Sequence, residues 1–389
     1  MLYYKCIKYT EGEKMLKYIK IKNINSIGEC EIDFKKDKYK YLEDNLIGDY
    51  VNPIALYGHN GSGKSSLLRA MSYLISLLIN PVDNLQPFIV NQFILNKYNE
   101  TRDEKYLIGS IELHFSIDEI NYEYFISVSR LNRITREYLK TDNLIFDRTI
   151  QNENYRGKEE KINNLRSLLV PSIRYFASEK VNDKDIQSVY SYLTSFTFVD
   201  LPNQARGSFV TSKHFANMSQ IELMVNKSQE VENILKDYKE FPLYNIVKVE
   251  NKNINGLRYF IKFDNLDDVI PFEFISTGML NQSTLLSILV SLPNNSVLFI
   301  DELEQALHPS AILSFIKVVK SKKMQLVFSS HNTFILQSLR PDQVYFANWK
   351  DGLSSFYRLS KIYPNIREIN NIEKMYLSSI FDEAIKNGK

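Results

Sequence analysis

Gly58-His59-Asn60-Gly61-Ser62-Gly63-Lys64-Ser65 decides how the rest of this 389-residue chain is read. It fits G-x-x-x-x-G-K-[ST], a pattern whose residue types follow from what a phosphate group needs. Glycines let the backbone curl until successive N–H groups point inward at phosphate oxygens, and the helix that follows adds partial positive charge. Lys64 has the length and charge to reach β- and γ-phosphates, and Ser65 carries a hydroxyl suited to Mg²⁺. The candidate nucleotide contacts are therefore Gly58, His59, Asn60, Gly61, Ser62, Gly63, Lys64, Ser65 and the adjoining Ser66. Both flanks agree. Ile54–Tyr57 is a short apolar run without alternation, as expected of a strand buried on both faces. Leu67, Leu68, Met71, Leu74, Ile75 and Leu78 then recur at helical spacing until Asn80-Pro81 stops the pattern.

Two later strand ends supply what the loop lacks. Val297-Leu298-Phe299-Ile300-Asp301-Glu302 is an apolar run closing on two acids. Asp301 is expected to hold Mg²⁺, and Glu302 to accept a proton from an attacking water. The plainer alternative is a strand that simply leaves the core. Phe328-Ser329-Ser330-His331 closes the next apolar run, and His331 there is expected over a γ-phosphate. Ser276-Thr277-Gly278 opens a helical stretch, a second anion site with no phosphate of its own to serve. Helices predicted at Leu280–Leu292 and Ser310–Lys320 alternate with strands at Val297–Ile300 and Gln325–Phe328. That order implies an α/β fold, a P-loop NTPase with a mixed or parallel sheet flanked by helices.

Composition narrows the rest. With 44% hydrophobic and 24% charged residues, wholesale disorder is excluded. A formal charge of +2 gives no global pull toward nucleic acid. Cys6 and Cys30 are too few for a disulfide framework or a cysteine zinc site, which suits a reducing cytoplasm. Leu67–Ile79 is interrupted by Arg69 and is shorter than the roughly 18 residues of a membrane span. The opening MLYYKCIKYTEGEKM lacks the apolar core of a signal peptide. The expectation is a cytoplasmic protein with no membrane partner.

Strands read at Leu16–Ile24 and Cys30–Phe34, with a hairpin at Ile108–Phe115 and Tyr122–Val128, fill an N-terminal lobe over residues 1–129. Residues 130–241 are more polar and weakly patterned, and read as an inserted, mostly helical lid or arm. Its last helix sets Val231, Ile234, Leu235 and Tyr238 on one apolar face. No heptad pattern persists, so no long coiled coil is expected. Arg130, Arg133 and Arg136 at threefold spacing, with Lys140, predict a basic helical face for nucleic-acid phosphates, with an ordinary solvated face as the alternative. Residues 242–389 form a C-terminal lobe with the remaining motifs.

Phosphate loop, Ser-x-Gly, apolar run with Asp-Glu, and histidine, in this order, resemble the ATP-binding-cassette ATPase heads of SMC, RecF and OLD proteins. LKYIKIKNINSIGECEIDF resembles the opening strands of that group. GHNGSGKSSLLRAMSYL, FISTGMLN, IDELEQALHP and SSHNTFILQSLRPDQVYFANWKDG look like the standalone OLD-like ATPases of bacterial abortive-infection and anti-phage systems. The tail NIREINNIEKMYLSSIFDEA is similar to their usual ending. This resemblance covers about residues 15–128 and 229–389.

What it implies is an ATPase using ATP and Mg²⁺, in which Ser276 and Gly278 contact the γ-phosphate held by the opposite subunit. ATP would then be sandwiched in a head-to-tail homodimer or higher oligomer. It also implies a glutamine loop, with Gln92 as the candidate metal contact and Gln86 as the alternative. Glu304 and His308 would lie on a segment crossing the dimer interface; the local reading is a capped turn before a helix with Pro309 near its start. The STG signature, in place of LSGG, fits the OLD-like group better than transporters. No toprim or paired-histidine nuclease pattern follows His331, so the implied partner is a separately encoded toxin or nuclease effector, with a phage protein or DNA as trigger. The runner-up class is a RecF- or SMC-like DNA-maintenance ATPase, which would call for a strong basic groove or long coiled arms.

Overall fold

The apolar runs converge on the middle of one large sheet in the computed structural model. The structure describes residues 13–80, 107–129, 132–161, 169–178, 183–202, 210–215, 227, 230–231, 233, 244–251, 256–263, 268–271, 274, 276–305, 307–368 and 370–381. Strands β1 (Lys14–Ile24), β2 (Ile27–Asp33), β3 (Leu46–Ile47), β4 (Tyr50–Val51) and β5 (Ile54–Tyr57) precede helix α1 (Lys64–Ile79). Then come β6 (Ile108–Ile117), β7 (Ile120–Ser129), β8 (Ile134–Lys140), β9 (Leu144–Thr149), β10 (Asn152–Tyr155) and β11 (Lys158–Lys161). Helices α2 (Ser172–Ser178) and α3 (Lys184–Thr194) lead into β12 (Thr197–Asp200) and β13 (Val210–Thr211). A separate antiparallel sheet is made by β14 (Tyr244–Asn251), β15 (Gly256–Phe263) and β16 (Val269–Pro271). Then come α4 (Thr277–Ser291), β17 (Val297–Asp301), α5 (Pro309–Ser321), β18 (Gln325–Ser329), β19 (Val344–Lys350) and β20 (Leu353–Arg358), followed by the short helices α6 (Leu359–Ile362) and α7 (Ile372–Leu377).

The large sheet runs β11-β10-β9-β8-β7-β6-β1-β2-β20-β19-β5-β18-β17-β12-β13. Its centre, β12-β17-β18-β5-β19, is parallel throughout. Parallel strands end on the same edge, and the register makes this concrete: Asp200 lies beside Asp301, Ile300 beside Phe328, and Ser329 beside Leu56. The turn after β5, the acids ending β17 and the serines ending β18 therefore meet at one place. That edge holds the site.

Alternation divides the sheet's two faces between two cores. Ile54 and Leu56 of β5, Val297 and Phe299 of β17, and Val327 of β18 pack with α1 and the N-terminal strands. Ala55, Tyr57, Leu298, Ile300, Leu326 and Phe328 pack instead with α4 and α5. Each large apolar side chain buried this way contributes about 1.5–3 kcal/mol. Buried Gln325 joins the layers: its Oε1 accepts from Leu16 N (2.6 Å) and its Nε2 donates to Leu16 O (2.8 Å). No described helix is long and apolar enough to cross a membrane.

Residues 134–161, expected within a mostly helical insert, carry strands β8–β11 that widen the sheet, and the first helix after them among the described residues is α2. The polar look of this stretch misled because part of its inward face is polar. Glu137 is fully buried, stands opposite Arg148 across the strands, and accepts from Ser172 N (2.6 Å) and Tyr124 Oη (3.0 Å). The expected basic helical face is corrected with it. Arg136 and Lys140 lie on β8, where Arg136 forks onto Asp147 (3.2 and 3.1 Å) and Lys140 pairs with Glu123 (2.9 Å). Their charges are met by acids within the sheet. Arg130 and the helix read around Ile234, Leu235 and Tyr238 lie outside the described residues.

Candidate nucleotide site

The loop between β5 and α1 needs its glycines for space. Gly58 has φ +139°, and a Cβ there would come within 2.3 Å of Ala347 O. Gly63 has φ +103°, and a Cβ would come within 2.1 Å of Ser354 Oγ. Both positions combine a left-handed backbone with a close neighbour, which only glycine tolerates. The neighbours also brace the helix start. Ser26 Oγ donates to Ser66 Oγ (2.8 Å), and Ser354 Oγ donates to Ser26 Oγ (2.7 Å). Ser66 thus holds the loop to the N-terminal and C-terminal hairpins. His59, Asn60 and Gly61 form the exposed rim of the loop, whereas Ser62 is buried with its Oγ unpartnered.

Lys64 is buried, and its Nζ folds back to donate to Gly58 O (2.8 Å) and His59 O (3.1 Å). Burial lowers its pKa, while Asp301, Glu304 and Glu302 oppose that fall. Ser65 Oγ donates to Asp301 Oδ1 (3.0 Å), joining the loop to the end of β17. Ser329 Oγ donates to the same oxygen (2.6 Å) and accepts from Glu302 N (2.8 Å). Asp301 Oδ2 is buried with no hydrogen-bond partner. An unpartnered buried carboxylate oxygen is costly unless a cation meets it.

Glu302 turns away from the strand in a left-handed conformation, φ +53°, a strained choice for a residue with a side chain. Gln305 Nε2 donates to Glu302 Oε2. Burial, then Asp301 and Glu304, push the Glu302 carboxyl above its ordinary range. His331 is exposed just past β18, and its backbone N–H donates to Glu304 Oε1 (2.6 Å). Burial and the Lys64 charge hold its imidazole below the usual range, so the ring is neutral at pH 7. Its segment is pinned on both sides: Ser330 N donates to Leu56 O (3.1 Å), and Tyr57 Oη to Asn332 O (2.8 Å).

The structure therefore gathers the phosphate loop, Lys64, Ser65, Asp301, Glu302 and His331. Ser276 and Gly278 stand apart. Both are exposed; Ser276 caps α4, its Oγ accepting from Met279 N (3.3 Å), and a Cβ at Gly278 would meet nothing within 4 Å. One thread ties α4 to the acids: buried Asn281 Nδ2 donates to Gln305 O (3.0 Å). His308 follows the local reading, capping α5 through Nδ1 toward Ser310 N (3.4 Å) with Pro309 at the helix start. Glu304, expected on a segment crossing the dimer interface, accepts from the His331 backbone N–H through Oε1, its Oε2 buried and unpartnered. Gln92 and Gln86 lie outside the described residues.

Sequence reasoning missed Ser329, although the Ser-Ser-His strand end was its signal. Gln305 and the Ser26–Ser354 brace had none, because their contacts join residues far apart in the chain or in a turn of no distinctive pattern. The site fits a nucleotide with Mg²⁺ on the structure's own terms: Asp301 Oδ2 and Ser62 Oγ lack partners, and the curl at Gly58 and Gly63 leaves no room for side chains.

A family model described as "AAA domain, putative AbiEii toxin, Type IV TA system" matches residues 54–337. No significant match was found among curated proteins. Among solved structures, an SMC head bound to the C-winged helix domain of ScpA is 13% identical, with a TM-score of 0.51, covering 88% of this chain and 96% of that one. The SMC head domain from Thermotoga maritima is 14% identical at TM-score 0.43, covering 88% and 98%. The recombination mediator protein RecF is 11% identical at TM-score 0.39, covering 89% and 99%. Of these three, the first exceeds a TM-score of 0.5, and at such identity it speaks for the fold alone.

Proposed function

The chain belongs to this family of AAA-type ATPase domains, and from that premise we propose that it binds and hydrolyses ATP with Mg²⁺ in a self-sandwiched dimer that controls a separately encoded effector in anti-phage defence. The observation that carries the catalytic part is the buried, unpartnered Asp301 Oδ2, next to the oxygen that Ser65 already touches. Ser65 and Asp301 are the residues to hold Mg²⁺, which when bound neutralises charge on the phosphate oxygens. Lys64 exchanges the carbonyls of Gly58 and His59 for phosphate oxygens. Glu302 takes a proton from water as the water oxygen bonds to the γ-phosphorus and the bond to the bridging oxygen breaks, releasing ADP and phosphate. His331, neutral and pinned by its neighbours, offers a hydrogen bond to the γ-phosphate. Ser276 and Gly278 face outward in one copy, and the reading assigns them to the nucleotide of a second.

The defence role rests on the resemblance of the motifs to OLD-like defence ATPases and on the family description, which names a toxin of a toxin–antitoxin system. Lys64→Ala tests both levels. Loss of the ammonium should weaken ATP binding roughly a hundredfold in nucleotide titration, about 3 kcal/mol for its charged hydrogen bonds. Unchanged affinity in the presence of Mg²⁺ would remove the phosphate-loop assignment. Expressed with its native flanking genes in a phage-challenged host, the wild type should cut plaque numbers and Lys64→Ala should not. Equal plaque numbers, with binding lost as expected, would leave the ATPase reading standing and sink the defence reading.

A further inference from the structure

The amino ends of the central strands carry a second cluster of hydrogen-bond donors. A cavity of about 260 Å³ opens there, lined among others by Lys14, Lys213, His214, Asn294 and Asn295. Ser296, also in its wall, directly precedes β17, and Asp301 ends that strand. The two regions are thus separated by the length of a five-residue strand, about 17 Å at 3.3 Å per residue. Among the described residues no carboxylate lines the cavity. Among the described residues neither Lys14 nor Lys213 has a carboxylate partner; the Lys213 ammonium sits 5.6 Å from the Tyr190 ring centroid.

The usual task for lysines near helix ends is to satisfy the last carbonyls and offset the dipole. Here that task is done by other groups. At the end of α3, Thr194 Oγ1 donates to Tyr190 O (2.8 Å) and Ser195 Oγ to Tyr192 O (2.6 Å). At the end of α4, Lys322 Nζ donates to Leu289 O (2.7 Å) and Leu292 O (2.6 Å). Lys14 and Lys213 are left as surplus positive charge over a recess. His214 senses it, since burial and Lys213 hold its imidazole below the usual range. Asn294 and Asn295 line the same wall.

We propose that this recess binds a phosphate group, with Lys14 and Lys213 as its two charged contacts and the side chains of His214, Asn294 and Asn295 as neutral donors. Two lysines and two asparagines in one wall, with no carboxylate among the described lining residues, match a compact dianion. The volume admits a phosphate with little attached, so the group is either free in solution or projects from a nucleic-acid backbone. The site is distinct from the nucleotide site and independent of the reading given for it.

The test uses the full-length chain carrying Lys64→Ala, so that the phosphate loop does not dominate. Inorganic phosphate is titrated by calorimetry, and a 12-nucleotide single strand by fluorescence anisotropy. Saturable binding is expected, weakened at least about tenfold by Lys14→Gln with Lys213→Gln, tenfold being 1.4 kcal/mol. Ser191→Asp, at an exposed position in the cavity wall, should weaken it similarly without deleting a lysine, and circular dichroism checks that each variant is folded. Binding of phosphate without the oligonucleotide identifies a free anion. Binding of the oligonucleotide that phosphate displaces identifies the backbone. No saturable binding of either probe overturns the proposal. So does binding that persists unchanged in folded variants.

Discussion

The phosphate loop and the Ser276-Thr277-Gly278 segment are built in opposite ways. The phosphate loop is locked from every side: Ser26 and Ser354 brace Ser66, Ser65 reaches Asp301, and Ser329 fixes both Asp301 and Glu302. In the Ser276-Thr277-Gly278 segment, Ser276 is exposed, and its side-chain hydrogen bond among the described residues caps its own helix. A residue meant to act within its own subunit would be positioned by packing and hydrogen bonds. One meant for another copy's ligand must stay accessible. On the proposed two-copy reading, half of the reacting constellation is preorganised inside the chain and half would be presented outward, with the Asn281–Gln305 contact linking α4 to the turn that holds Glu302.

The strongest way to break that contrast is at Glu302. Glu302→Gln keeps shape and much of the hydrogen bonding but removes the basic carboxylate. Hydrolysis should slow by about 10²–10⁴-fold, with ATP binding retained and the ATP-closed assembly accumulating as a size increase in light scattering. Near-normal turnover would take the base role away from Glu302 and make His331 the next suspect.

Ser329→Ala sharpens the contrast by loosening only the locked half. It deletes the donor to Asp301 Oδ1 and the acceptor for Glu302 N. Mg²⁺-dependent nucleotide affinity should fall about tenfold, in line with one lost buried partner. An affinity equal to wild type would show that Ser65 alone positions Asp301.

A smaller effect is expected in the pH profile. The base must be deprotonated, so turnover is lost as pH falls through the pKa of Glu302. Burial, Asp301 and Glu304 raise that pKa, so the acid limb should lie above the ordinary glutamate value, about 4.3. Glu304→Gln removes one of the raising charges and should shift the limb toward lower pH. A limb that stays in place would mean that Glu304 does not act on the base.

Most of the locked half was legible because phosphate chemistry restricts residue type at fixed spacing: Gly58, Gly63, Lys64 and Ser65, then Asp301 and Glu302 after an apolar run. The central parallel strands were legible because Ile54–Tyr57 and Val297–Ile300 are apolar on both faces. The antiparallel wing was not. There Glu137 is buried against Arg148, and polar residues on the inner side erase the alternation that marks a strand. Ser26 and Ser354 were illegible for another reason, since their role comes from contacts 40 and 328 residues away in the chain.

If the outward-facing signature completes the site of another copy, two variants that are each inactive should complement one another. Lys64→Ala lacks a working phosphate loop and Ser276→Arg lacks a working signature, so each alone should be inactive in steady-state ATP hydrolysis. Mixed, they form assemblies in which one composite site joins the intact loop of the Ser276→Arg copy to the intact signature of the Lys64→Ala copy. The account predicts partial turnover, absent from either protein by itself. No turnover in a mixed assembly shown to form would contradict it, as would full activity of Ser276→Arg alone.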